Sequence, residues 1–289
     1  MKRQDTSKII IAAFLALTMV FSIFAYFFSG PVSDREQTSD TQQNKYNPEF
    51  WIVRQPFDSI SDALNLTPVG AEYASYVDLE SMTPQMAKVA RQEFSLIKEV
   101  DTIYKSNTTK MYYADLRKDK NESFLLLSTM YPEKNDFEYF TRPDFDIPIL
   151  QRTDLNGFFN VMGTPVILAP PQTAIDTLNI IYSLNRTNTS YDKYEGLLDK
   201  APHAPIQIVN SSVGFAKQYY MGIRTINGTY ERTTVYLSAN SSTLMKLDNR
   251  KANMTQNGFT QYNITKSGDY TIVKIAAPDL DRVLSEENS

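Results

Sequence analysis

Serine, lysine and asparagine side chains at three places in the sequence are of the types that acyl-transfer chemistry uses. Ser95 and Lys98 stand three residues apart, and Ser183–Asn185 and Lys266–Gly268 follow later in the chain. In such a site a serine oxygen attacks a carbonyl carbon, a lysine amine acts as its base, and a second Ser/Lys pair shares the pocket. One hypothesis is therefore an extracytoplasmic serine acyl-enzyme with Ser95 as nucleophile and Lys98 as base.

The order of these motifs is similar to the order found in penicillin-binding proteins and serine β-lactamases. Their local surroundings count against a shared pocket. Helical periodicity places Ser95 about 180° from Met86, on the polar face of a helix whose opposite face is core. Lys266–Gly268 falls between two predicted strands, where a hairpin turn accounts for it. We therefore predict that the protein is not an enzyme, and the penicillin-binding-like enzyme is the alternative.

The remaining composition excludes most metal and cofactor chemistry. The chain has one histidine, His203, and no cysteine, so thiolate sites and sites that need two imidazoles are excluded. The acid pairs Asp144/Asp146 and Asp279/Asp281 lack the glycine and the closing glutamate of a calcium loop, and they fit solvated loop acids better. We expect no catalytic residue, no metal site and no cofactor.

Acceptor sequences for N-linked sugars are more frequent than the composition predicts. Ten asparagines are followed two positions later by serine or threonine with no intervening proline, whereas chance gives about three. All ten lie beyond the apolar N-terminal segment, on the side where oligosaccharide transfer occurs. The acceptors are Asn65, Asn107, Asn121, Asn185, Asn188, Asn210, Asn227, Asn240, Asn253 and Asn263.

That apolar segment, residues 9–28, predicts a single transmembrane signal anchor. Twenty residues at about 1.5 Å each span roughly 30 Å of hydrocarbon. Basic residues precede the segment, so the positive-inside rule keeps residues 1–8 in the cytoplasm as a short tail. A cleaved signal peptide is the alternative, although its apolar region is usually shorter. Residues 29–49 have almost nothing to bury and predict a flexible stalk with a reach of roughly 25 Å.

The anchor and the acceptors together predict a single-pass cell-membrane protein with most of its chain outside the cell. A chain with many sugar acceptors and no cysteine is unusual for a eukaryotic secreted domain, because such domains commonly carry disulfides. An archaeal cell-surface protein fits these features better. The formal charge of −4, with no basic cluster, argues against nucleic-acid binding. The expected partners are the lipid bilayer, through residues 9–28, and another envelope or membrane protein.

The folded part contains an internal similarity. Lys110–Arg117 recurs as Lys217–Arg224 at an offset of 107, and a polar turn with an acceptor and then an apolar strand follow each copy. Each copy therefore predicts a β-hairpin. One helix is predicted from about Pro84, with Thr83 as its N-cap, to Tyr104, as an insertion in the first copy.

The resulting prediction is an α+β fold in which the membrane helix precedes two tandem similar units, residues 50–175 and 176–289. Each unit is expected to be a mostly antiparallel sheet with one or two packed helices. The expected function is that of an N-glycosylated envelope protein acting by binding or structural association. A small-ligand-binding sensor module, with its ligand between the units, is a further alternative.

Overall fold

One large antiparallel sheet forms the centre of the protein. The computed structural model describes residues 51–118, 121–133, 139–141, 149–152, 155, 157–182 and 188–285. Within these residues the fold is α+β, as the sequence predicts, with a 12-stranded sheet and seven helices. Among them, no helix combines the length and the apolar character that crossing a bilayer requires. The predicted tail, anchor and stalk, residues 1–8, 9–28 and 29–49, lie outside the described residues.

The strands of the main sheet are long near its centre and short towards one edge. A separate parallel pair, β1 with β8, connects the start of the described chain to the loop before β9. The strands, in chain order, are β1 Val53–Arg54, β2 Ala71–Asp78, β3 Asn107–Lys118, β4 Asn121–Tyr131, β5 Phe140–Thr141, β6 Leu150–Gln151, β7 Phe159–Val161, β8 Gly163–Thr164, β9 Val166–Ala169, β10 Ile206–Asn210, β11 Gln218–Ile226, β12 Thr229–Leu237, β13 Gln261–Ser267 and β14 Tyr270–Ala277.

Four of the described helices begin at a side chain that accepts a hydrogen bond from the first turn. These N-caps are Ser59, Thr83, Asn240 and Asp279, and each satisfies a backbone N–H that has no partner inside its helix. The helices are α1 Ile60–Asn65, α2 Pro84–Glu93, α3 Ser95–Tyr104, α4 Pro171–Ile181, α5 Tyr191–Leu198, α6 Ser241–Ala252 and α7 Leu280–Ser285.

The two halves of the chain contribute strands to the same sheet. Its order is β13-β14-β12-β11-β10-β2-β3-β4-β9-β7-β6-β5. At the centre β10 pairs with β2 in antiparallel register, so that Val77 lies opposite Ile206 and Tyr73 lies opposite Asn210. The predicted boundary near residue 175 therefore does not divide the sheet.

Strand connectivity on the two sides of that central pair is the same over five strands, and the first side then continues with β6 and β5. Read outward, one side is β2-β3-β4-β9-β7 and the other is β10-β11-β12-β14-β13. In both, three consecutive strands are followed by a hairpin whose second strand returns next to the third. The predicted hairpins are present as β3–β4 and β11–β12.

The equivalence between the hairpins differs by one residue from the sequence alignment. The last pairs before the two turns, Lys118 with Asn121 and Ile226 with Thr229, are 108 residues apart rather than 107. At 107, Tyr112 would match a residue whose side chain is on the opposite face of the sheet. At 108 it matches Tyr220, and both side chains are fully buried on one face.

Each face of the sheet carries its own hydrophobic core because neighbouring strand residues point to opposite sides. Tyr113 belongs to the core covered by α2, α3, α6 and α7, and Tyr112 belongs to the core covered by α1, α4 and α5. The helices therefore lie on both faces. The described residues contain seven helices, whereas one or two per unit were predicted.

The prediction of one continuous helix from Pro84 to Tyr104 is wrong, because this segment forms two helices, α2 and α3. The chain leaves helical geometry at Phe94 (φ −99°, ψ 78°), and α3 begins at the next residue. Met86 and Ala90 in α2 and Ile97 in α3 still bury the apolar face that the periodicity predicts.

Candidate functional site

The predicted sugar acceptors are accessible wherever the structure describes their side chains. Asn185 lies outside the described residues, and the side chain of Asn121 is not described. Of the other eight acceptors, seven are exposed and Asn210 is half-buried. The buried asparagine of the described chain, Asn160, is not in an acceptor sequence, and its Oδ1 accepts a hydrogen bond from the Tyr104 hydroxyl at 2.7 Å.

Most of these acceptors lie at turns and element ends, where a bulky sugar displaces no packed atoms. Asn227 forms the tip of the β11–β12 hairpin with Gly228, and both have positive φ, 50° and 77°. This is the backbone of a type I′ turn, which favours Asn-Gly. Asn240 and Asn253 are the N-cap and C-cap of α6, and Asn263 is on strand β13.

The capping role of Asn240 is compatible with a sugar on its side chain. Its Oδ1 accepts a hydrogen bond from the Thr243 N–H at 2.9 Å, and its Nδ2 donates to the Gly214 carbonyl at 3.2 Å. An N-linked sugar replaces one hydrogen of Nδ2 and leaves the oxygen and the second hydrogen in place. Both hydrogen bonds can therefore persist in the glycosylated protein.

The structure does not bring the serine and lysine motifs into one pocket. Ser95 is half-buried at the first residue of α3, and Lys98 is exposed. Helix α3 packs on β3, whereas Lys266–Gly268 lies at the β13–β14 turn. Six strand steps separate β3 from β13, roughly 29 Å at 4.8 Å each. Ser183 lies outside the described residues.

The other candidates for chemistry have local structural roles. His203 is exposed, and its Nε2 lies 2.8 Å from the Asp58 carbonyl oxygen. The Asp279 carboxylate accepts a hydrogen bond from the Asp281 N–H at 3.1 Å at the start of α7. Asp144 and Asp146 lie outside the described residues. Within the described part of the chain, no three Asp, Glu or His side chains are placed to hold a metal ion.

A carboxyl group with an unusual environment lies beside the central strand pair. The half-buried Asp115 accepts a hydrogen bond from the Tyr113 hydroxyl at 2.5 Å. Burial raises the pKa of Asp115, the Tyr113 hydrogen bond opposes that rise, and nearby Glu122 and Glu72 add to it. The group therefore takes up a proton at a higher pH than an exposed aspartate.

Asp115 is close to the junction of the two halves. In the sheet register Tyr73 lies opposite Asp115 on one side and opposite Asn210 of β10 on the other. Directly opposite residues share a face of the sheet, so these three side chains form one row. Burial raises the pKa of Tyr73 to about 12. With the Tyr113 ring, whose hydroxyl donates to Asp115, the row forms a patch of two aromatic rings and one carboxyl group.

This patch has a weak signal in the sequence. Asp115 follows the run Met111–Ala114, which has no charged residue, but a single acid at a strand position is common on solvent faces. Its proximity to Tyr73 depends on the β2–β3 pairing across the inserted α2–α3 segment. That long-range pairing is not visible in local periodicity.

Comparison with known proteins does not identify a family for this chain. No protein-family model matches the chain, and no curated protein sequence matches it. Solved structures of TP0453 have a distant likeness. Its crystal form III is 12% identical with a TM-score of 0.41, covering 80% of this chain and 99% of that one. Crystal form I is 11% identical with a TM-score of 0.38, covering 78% and 97%. Likeness at this level supports no statement about function.

Proposed function

We propose that the protein is a membrane-anchored, N-glycosylated envelope protein that acts by binding or structural association. The observation that carries this proposal is the accessibility of all eight acceptor asparagines whose side chains are described. At each of these positions a sugar can be attached without displacing packed atoms, as N-glycosylation of the folded surface requires. The excess of acceptors in the sequence supports the same conclusion.

The proposed anchor is residues 9–28, with residues 1–8 in the cytoplasm and the folded part held outside the cell on the stalk. The folded part is proposed to act through another membrane or envelope protein. That protein and the bilayer are the proposed partners, and the proposed source is an archaeon.

We further propose that residues 50–175 and 176–289 are tandem similar units. The connectivity that the two sides of β2–β10 share over five strands supports this, as do the equivalent hairpins. The helix pair α2–α3 is then an insertion of the first unit, because β10 and β11 are joined without a helix. The units share one sheet rather than folding as separate bodies.

Intact-mass measurement with glycopeptide mapping tests the main proposal on protein purified from its own cell membranes. The expected result is an unprocessed N-terminal peptide and hexose-bearing peptides at Asn121 and Asn227. A bare chain that starts near residue 29 or 30 would overturn it, because the protein would then be released and its acceptor sequences accidental.

Small-ligand binding is the second candidate, and the row containing Asp115 favours it. A carboxylate beside aromatic rings can bind a small organic cation through charge and ring contacts. A thermal-shift screen with organic amines at pH 7 tests this: wild-type protein should be stabilised and the Asp115→Asn variant should not. A sugar on Asn210 would extend over the same row, so an occupied Asn210 argues for association and against the ligand.

A further inference from the structure

Strand β13 is an open edge of the sheet. Within the described residues it pairs with β14 alone, along the whole of Gln261–Ser267. At the other end of the sheet the strands β5 and β6 are two residues each. An edge strand of seven residues presents unpaired N–H and C=O groups that can accept another strand.

The side chains of β13 are compatible with pairing between two copies of the strand. In an antiparallel pair centred on Ile264, Tyr262 would lie opposite Lys266 of the second copy, and Asn263 opposite its Thr265. Lys266 is the one charged residue in the strand, so no like charges would face each other. Ile264, half-buried on the core side, would meet its own counterpart.

The acceptor Asn263 is at the middle of this edge, away from any turn. Asn263 and Thr265, its acceptor hydroxyl, are both exposed on the face of the sheet opposite the buried Tyr262. Directly opposite residues in an antiparallel pair have Cβ atoms about 5 Å apart. A branched sugar on Asn263 would occupy the space that Thr265 of a second copy needs.

We propose that the oligosaccharide on Asn263 keeps β13 from pairing with the β13 strand of a second copy. The inference rests on the proposed N-glycosylation and assigns one acceptor a specific task. A single lysine gives the edge weak protection, since edge strands are usually guarded by several charges, proline or a bulge. The sugar supplies the missing obstruction. Without it, the protein forms a two-fold dimer through β13.

The test compares two acceptor knock-outs in the full chain, purified in detergent from a host that glycosylates it. Thr265→Ala removes the Asn263 acceptor sequence. The control, Ser212→Ala, replaces another exposed hydroxyl and removes the Asn210 acceptor sequence, on a strand paired on both sides. Thr265→Ser keeps the acceptor sequence. Sedimentation equilibrium reports mass, hydrogen exchange reports protection of β13, and glycopeptide mapping reports occupancy.

We expect Asn263 to be occupied in the wild type, and the wild type, Ser212→Ala and Thr265→Ser to be monomers. Thr265→Ala should dimerise at micromolar concentration, with at least ten-fold slower amide exchange in β13. An occupied Asn263 with a monomeric Thr265→Ala overturns the inference and leaves the proposed function standing. A bare Asn263 in wild type also overturns it, and the proposed function falls with it if the other acceptors are bare too.

Discussion

The Thr67 hydroxyl lies 2.8 Å from the Tyr112 hydroxyl in the core between α1 and the sheet, and both side chains are fully buried. Thr67 Oγ1 also donates to the Ala63 carbonyl at 2.7 Å. Thr67 is at the same time the hydroxyl residue of the Asn65 acceptor sequence. Because an enzyme that recognises this hydroxyl cannot reach it in the folded protein, Asn65 can be modified before folding but not after it.

Replacing Thr67 therefore tests a core contact and an acceptor sequence together. We expect Thr67→Ala to lower the free energy of unfolding by about 2 kcal/mol, because the Tyr112 hydroxyl would be left buried without a partner. Urea denaturation of the full chain, made in a host without N-glycosylation and solubilised in detergent, measures this.

Two variants separate the contact from the sugar. Asn65→Gln removes the acceptor and leaves the hydroxyl pair, so its effect without sugar should stay within about 0.5 kcal/mol. Thr67→Ser keeps both the hydroxyl contact with Tyr112 and the Asn65 acceptor sequence. An unchanged midpoint in Thr67→Ala would mean that the hydroxyl pair does not contribute to stability.

Asp115 gives stability a dependence on pH. Its folded-state pKa is raised above the ordinary value of 3.8 by burial, so the folded protein holds this proton more tightly than the unfolded chain. Stability from this group is present below the ordinary pKa and is lost as pH rises through the raised one. Asp115→Asn cannot ionise and can still accept the Tyr113 hydrogen bond.

We therefore expect Asp115→Asn to be more stable than the wild type at pH 7, with the difference shrinking as the pH approaches 4. Urea denaturation at a series of pH values measures the difference. Glu122, which forms an ion pair with Arg117 nearby, adds to the rise of the Asp115 pKa. Glu122→Gln removes that charge and is therefore a useful second variant. A difference that is constant with pH would show that Asp115 is not the titrating group.

The break between α2 and α3 shows where sequence periodicity stops being sufficient. Arg91 Nη1 lies 2.7 Å from Asp101 Oδ2 across the break, whereas ten residues of straight helix are about 15 Å long. Asp101 also accepts a hydrogen bond from the Thr108 N–H at 2.6 Å. The buried face follows from the spacing of apolar residues, but the fold-back at Phe94 depends on contacts between elements, and no proline or glycine marks it.

The central pair β2–β10 illustrates the same limit. The hairpins β3–β4 and β11–β12 join neighbouring segments with polar turns between apolar strands, so their sequences predict them. The pairing of Tyr73 with Asn210 joins residues far apart in the chain. The sequence therefore predicts two similar units, but it carries no local signal that they share one sheet.

The N-cap of α6 can be tested apart from its sugar. Asn240→Ala removes the oxygen that accepts the Thr243 N–H, and we expect a loss of about 1 kcal/mol in helix stability. Asn240→Asp keeps an oxygen at that place, adds a charge that the helix N-terminus favours and removes the acceptor. Asn240→Asp should match the wild type in amide exchange of α6. If Asn240→Asp and Asn240→Ala lose the same helix stability, the effect comes from the missing sugar and not from the cap.

The serine acyl-enzyme alternative makes a direct labelling prediction. The half-buried Ser95 at the start of α3 lies far from the Lys266–Gly268 turn along the sheet, so that turn does not supply the second Ser/Lys pair that such sites use. We expect fluorophosphonate and fluorescent β-lactam probes to label the wild type and Ser95→Ala equally. Label that disappears in Ser95→Ala would establish the enzyme.

The junction of the two halves predicts that neither half folds alone. The Tyr194 hydroxyl of α5 donates to the carbonyls of Ala71 at 3.1 Å and Glu72 at 2.9 Å, so a second-half helix is fixed to the first-half strand β2. Separated after residue 182, so that α4 stays intact in the first half, each half would expose β2 or β10 as a bare central edge with half of the surrounding core missing.

Residues 50–182 and 183–289 made separately should therefore be aggregated or unfolded, and co-expression should recover a soluble complex that elutes as one species. Within the intact chain, Tyr194→Phe should speed amide exchange in β2 and β10 by about ten-fold, consistent with a loss of about 1.4 kcal/mol. Tyr182→Phe, at an exposed ring, is the matched control and should change nothing. Two halves that each fold as stable monomers would contradict this prediction, because each would then keep its core without the strand that covers its central edge in the intact chain.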